Sequence, residues 1–258
     1  MFKLLTFALF FVSTISFSQS LDSVSYKIGD QSFTAYFAMP KKLNAKTKTV
    51  LIVHEWWGLN NYPKMRAQQL AELGMIGFCI DMYGTGKVAD NPTDAQAMAT
   101  PLYKDPQMAF ERFMAGYNEA VKLKGVNTDK MAGIGYCFGG SMVLNAAKMG
   151  APLDAVVSFH GGLAGIPVDK DKLKAKVLIC NGAADAFVSA EETAAFKKQM
   201  DENEIFYQFI DYLDATHAFT NPQSTAVGEK FSMPIEYNEA ADKKSWKDFM
   251  AFIKKYVN

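Results

Sequence analysis

Five short apolar runs, each closing on polar or glycine-containing residues, constrain this chain more than any other feature. They span 49–58 (TVLIVHEWWG), 75–81 (MIGFCID), 130–137 (KMAGIGYC), 154–162 (DAVVSFHGG) and 175–185 (AKVLICNGAAD). Runs of this length without polar alternation read as strands buried on both faces. Segments of helical spacing stand between or after them: 63–73, with Pro63 near its first turn and Gly74 at its end, then 107–124, 140–149, 190–200 and 240–257. Residues 33–39 alternate like an edge or half-exposed strand, and 205–212 are strand-like. The Gly/Pro-punctuated connection 82–105 is expected to hold one short helix. Buried strands alternating with helices imply an α/β fold, a mainly parallel central sheet with helices on both faces.

The chain has 258 residues, with Lys and Arg (27) balancing Asp and Glu (27). Zero net charge and the lack of a basic run with interleaved aromatics exclude nucleic acid and anionic membranes as expected partners. Residues 1–18 read as a cleavable signal peptide: Lys3, an apolar stretch from Leu4 to Val12, then Ser16 and Ser18 as a small-x-small site before Gln19. The apolar stretch is short for a membrane span. A single domain is expected over 19–258, exported and soluble after cleavage, periplasmic or secreted if the source is bacterial. Three cysteines are too few for a disulfide framework, and no paired spacing suggests zinc. Cys79 and Cys180 lie within apolar strands and read as packing atoms.

In a parallel sheet the ligand site lies beyond the carboxyl ends of the strands. The polar residues expected there are His54, Glu55, Asp81, Cys137, His160 and Asp185. Cys137 stands in Gly135-Tyr136-Cys137-Phe138-Gly139, the pattern of a nucleophile elbow with cysteine in place of serine. Such a turn needs small neighbours two residues either side, because strand and helix nearly touch there. It also aims the N-terminus of the next helix at the sulfur. That helix end stabilises an anion by about 0.3–1 kcal/mol, or roughly 2 when partly buried. The effect is too small to ionise a thiol alone, so a base is required. Asp185 follows the strand-like KVLICNG (176–182), and His217 follows the next strand in DATHAFTNP. Nucleophile, acid and histidine then occur in α/β-hydrolase order, which His54 and His160 cannot satisfy. The remaining need is an oxyanion site from the Phe138 amide and one in the HEWWGLN segment.

HEWWGLN, DMYG, GYCFGG, NGAAD and THAF, in this order, resemble the dienelactone hydrolase family over nearly the whole chain after residue 18. The resemblance implies an α/β-hydrolase fold with Cys137 as nucleophile, His217 as base and then acid, and Asp185 orienting the imidazole. It further implies Glu55 as a partner in thiol activation and the Phe138 and Trp56 amides as oxyanion donors. No cofactor or metal is implied. One departure stands out. Family members that act on dienelactone bind its carboxylate with arginines, one just after the catalytic histidine. Here that segment is His217-Ala218-Phe219-Thr220-Asn221, and the chain holds only Arg66 and Arg112. The reaction class, hydrolysis of a small ester or lactone through an acyl-thioester, is therefore better supported than the substrate. Trp57, Tyr83, Tyr136 and His160 are expected near the pocket. Two rival classes are a non-catalytic binding protein on the same fold and a redox-active thiol pairing Cys137 with Cys79 or Cys180. Oligomeric state is not readable.

Overall fold

The computed structural model describes residues 19–258; the signal-peptide expectation for 1–18 lies outside the described residues. An eight-stranded sheet runs in the order β1-β2-β4-β3-β5-β6-β7-β8. β1 (Asp22–Ile28) and β2 (Gln31–Ala38) form an antiparallel hairpin, and β2 joins β4 antiparallel. β3 (Thr49–Val53), β4 (Ile76–Ile80), β5 (Met131–Tyr136), β6 (Ala155–Phe159), β7 (Lys176–Gly182) and β8 (Tyr207–Tyr212) are parallel. β3, β4, β5 and β6 are buried at every residue, as their unbroken apolar runs require.

Among the described residues there are seven helices: α1 (Asn61–Glu72), α2 (Pro92–Lys104), α3 (Pro106–Ala120), α4 (Phe138–Lys148), α5 (Ala190–Glu202), α6 (Ser224–Phe231) and α7 (Glu239–Tyr256). The sheet separates two apolar clusters. One gathers residues of α2, α3, α4 and α5, the other residues of α1 and α7. Among the described residues no helix is long and apolar enough to cross a membrane.

The structure extends the sequence reading in four places. β1 was not expected, because Tyr26 is its only buried residue and an edge strand of this kind carries little apolar signal. α2 has thirteen residues where a short helix is expected. Pro92, which reads as a break, sits at its start behind the Asn91 cap, and Pro101 is held within it. α6 is short and lacks a side-chain cap, so nothing local announced it. α4 begins at Phe138, not after Gly140, which brings the first helical amides directly behind Cys137.

Candidate active site

Cys137 occupies the turn from β5 into α4 with φ 53° and ψ −118°, a conformation that non-glycine residues rarely adopt. The glycines around it make that turn sterically feasible. A Cβ at Gly135 would stand 1.9 Å from the Gly139 carbonyl oxygen, and one at Gly139 would stand 2.3 Å from that of Val53. Strand, turn and helix can approach this closely only without side chains at these two positions. The turn presents the half-buried thiol to a cavity of about 300 Å³.

His217 lies beyond β8 and Asp185 beyond β7, so residues far apart in sequence meet at one edge. His217 Nδ1 is 2.9 Å from Asp185 Oδ2, and Asp185 Oδ1 accepts the Phe187 amide at 2.8 Å. Both carboxylate oxygens are thereby fixed. His217 and Cys137 line the same cavity. Burial alone would pull the His217 pKa down; Cys137 and Asp185 outweigh it and raise the value to about 10.

Glu55 follows β3, lines the same cavity and is buried. Its carboxyl is pushed up to about 7 by burial, against the Asn221 hydrogen bond and the charges of His217 and Arg66. Asn221 Nδ2 donates to Glu55 Oε2 at 2.7 Å. The segment after His217, in which the family resemblance led to an arginine, thus supplies an amide to Glu55. Arg66 is instead buried against Asp242 at 2.5 Å, and Arg112 donates to the Met82 carbonyl at 2.6 Å.

Trp57 lines the cavity, as expected, with Tyr103, Phe187, Val188, Met233 and Ile235. Among the described residues no lysine or arginine lines it. Trp57 stacks on Phe231 with centroids 6.2 Å apart, and Phe187 meets His217 edge-on at 4.9 Å. The other three pocket expectations are corrected by burial. Tyr136 points to the opposite face, where it stacks on Phe159 at 4.9 Å. Tyr83 is buried and its hydroxyl donates to the Trp56 carbonyl at 3.1 Å, bracing that turn from behind. His160 is buried behind Cys137 rather than beside the cavity. Tyr136 fails because strand residues alternate, so a residue adjacent to the nucleophile faces away from it.

His54 and Asp81 also sit at strand ends, but with structural partners. His54 Nε2 accepts the Met82 amide at 3.2 Å, and Asp81 accepts the amides of Thr34, Tyr83 and Gly84. Cys79 and Cys180 are buried free thiols in the α1/α7 cluster. Each lies two strands from β5, roughly 9–10 Å across the sheet, beyond the approximately 7 Å Cα limit of a disulfide. The redox pairing with Cys137 is therefore excluded without backbone movement. Among the described residues no group of three His, Cys, Asp or Glu side chains could hold a metal ion.

Tyr103, Phe187, Met233, Ile235 and Asn221 were not anticipated. They come from α2 and from the loops after β7, β8 and α6, where sequence gives no periodic signal for orientation.

A mainly parallel sheet with a strained turn between β5 and α4 defines an α/β-hydrolase. The chain belongs to the dienelactone hydrolase family, whose sequence profile matches residues 33–257, and it is a hydrolase acting on esters or lactones. A relative in Aquifex aeolicus (strain VF5), whose name assigns it provisionally as a carboxymethylenebutenolidase, is 28% identical over 227 residues, covering 86% of this chain and 93% of its own. A dienelactone hydrolase-like promiscuous phosphotriesterase from metagenomic libraries superposes with a TM-score of 0.87 at 28% identity, over 93% of this chain and 99% of its own. A structure called m3DLH gives 0.86 at 27% identity, over 93% and 100%.

Proposed function

We propose that the protein hydrolyses small, uncharged esters or lactones through an acyl-thioester on Cys137. The observation that carries this reading is that Cys137 and His217 line one cavity while Asp185 Oδ2 holds the imidazole Nδ1 from behind at 2.9 Å. His217 takes the thiol proton, and Glu55 shares in that transfer when ionised. The thiolate attacks the carbonyl carbon. A C–S bond forms as the carbonyl electron pair moves to oxygen, where the Phe138 and Trp56 amides receive it. Collapse breaks the ester C–O bond, and the leaving oxygen takes the proton from His217. His217 then deprotonates water, which attacks the thioester; the C–S bond breaks, the acid leaves and His217 returns its proton to the sulfur.

The cavity walls set the substrate's character. A free carboxylate entering among these apolar residues would lose its hydration and meet Glu55 with no lysine or arginine to clamp it. The lining accommodates an apolar or aromatic group instead. The promiscuous phosphotriesterase named above supports this view, since a triester is also uncharged.

Cys137→Ala is the direct experiment. It should abolish turnover of small aryl esters while circular dichroism shows an unchanged fold. Activity at the wild-type level in the purified variant would reject the mechanism. On matched aryl esters with and without a free carboxylate, the neutral one should be preferred.

A further inference from the structure

Behind Cys137 runs a continuous buried chain of polar groups that the hydrolytic steps do not use. The Cys137 amide is 3.0 Å from the Phe159 carbonyl and 3.1 Å from His160 Nδ1. A backbone N–H can only donate, so Nδ1 must be the bare, accepting nitrogen. The ring's proton then sits on Nε2, which faces Thr220 Oγ1 at 2.7 Å. Tyr62 donates its hydroxyl to Thr220, 2.7 Å from Oγ1 and 3.1 Å from the carbonyl. Arg66 donates to the Tyr62 oxygen and to the Thr220 carbonyl, and pairs with Asp242 of α7. The next residue, Asn221, holds Glu55.

The Thr220–Asn221 pair therefore touches two parts of the site at once. Through His160 it reaches the amide of the strained turn, and through Asn221 the carboxyl of Glu55. An imidazolium at His160 would point a second N–H at the Cys137 amide and break the chain at its centre.

We infer that His160 is a positioning residue, locked as the neutral Nε2–H tautomer by Thr220 so that its bare Nδ1 holds the Cys137 amide. This rests on Cys137 being the nucleophile, but the lock itself can be observed without turnover. Two positive charges can face the ring, Arg66 beyond Thr220 and His217, with centroids 5.3 Å away, once it has taken the thiol proton, and both oppose protonation of His160. Burial acts in the same direction, and holds its pKa well below the usual histidine value. The lock also commits the Cys137 amide elsewhere, leaving Phe138 and Trp56 as the oxyanion donors of the proposed mechanism.

The test begins with ¹⁵N-labelled histidine in the wild-type protein, where the ring nitrogens report tautomer and charge directly. His160 should show the Nε2–H neutral form throughout the pH range in which the protein stays folded. An imidazolium or an Nδ1–H form would overturn the inference, whatever Cys137 does. Thr220→Val should lower kcat/KM about ten-fold, the weight of about one buried hydrogen bond, and shift the pH profile of Cys137 alkylation by iodoacetamide. Thr220→Ser, which keeps the hydroxyl, should recover most of both losses. A Val variant with wild-type rate and alkylation profile, or a Ser variant as impaired as Val, would reject the role. Failure of the mechanism itself appears separately, as a fully active Cys137→Ala.

Discussion

His160 and His217 flank the same cysteine with ring centroids 5.3 Å apart, yet their surroundings drive them in opposite directions. His217 belongs to the front wall, where Cys137 and Asp185 raise its pKa to about 10 against burial. His160 belongs to the back wall, where burial, a protonated His217 and Arg66 push it well below its usual value and its partners are an amide and a hydroxyl. Burial is common to both. What separates them is the partner: an acceptor of protons at the front, a donor of a hydrogen bond at the back. The front wall can change its protonation during a reaction, and the back wall is built to keep one state.

Four experiments can break or sharpen that contrast. The largest effect belongs to the front wall. Asp185→Asn leaves the shape but removes the carboxylate that orients His217, and kcat/KM for aryl esters should fall by about 10⁴-fold, as when the orienting acid of a triad is lost. Steady-state rates measure it, and a loss below ten-fold would show that Asp185 does not orient the base. Next comes the back wall. Arg66→Met strands Asp242 without its cation, and chemical denaturation should show a loss of about 3–5 kcal/mol.

The third concerns the boundary between them. Glu55 rises from its ordinary 4.5 to about 7 in the folded state, so the folded protein holds this proton more tightly than the unfolded chain. Its contribution is fully present below about pH 4.5 and is lost as pH rises through 7. Glu55→Gln should remove about 3 kcal/mol of that fall, read by urea unfolding at several pH values between 4 and 8. The smallest effect lies at the cavity mouth. Phe187→Ala uncovers one edge of His217 and should raise KM for aryl esters by a few-fold, the scale of one aromatic contact.

The front wall was largely legible in the sequence because its signals are local. A cysteine among glycines, an acid after a strand and a histidine after the next each announce themselves, and their order does the rest. The parallel sheet was legible for the same reason, since β3 to β7 carry unbroken apolar runs. The back wall was not. His160 was seen as a strand-end histidine and placed near the pocket, yet nothing in DAVVSFHGG says that its ring turns toward the Cys137 amide. Arg66 looked like an ordinary helix residue, and its partner Asp242 lies far along the chain. Such contacts depend on side-chain direction and on how α1 and α7 pack together, neither of which leaves a repeat or a spacing. Tyr136 failed for a related reason: adjacency in sequence put it beside the thiol, while strand alternation sent it to the other face.

Asp242 lies near the start of α7, the last helix of the chain. During synthesis the thiol of Cys137, its glycine turn and even His217 leave the ribosome before this carboxylate does. Until α7 docks, Arg66 has no counter-charge and the Thr220–Asn221 pair lacks its anchor. The back wall is thus closed by a carboxylate made after every other member of it, so its polar chain is complete only when the two ends of the fold, α1 and α7, have met.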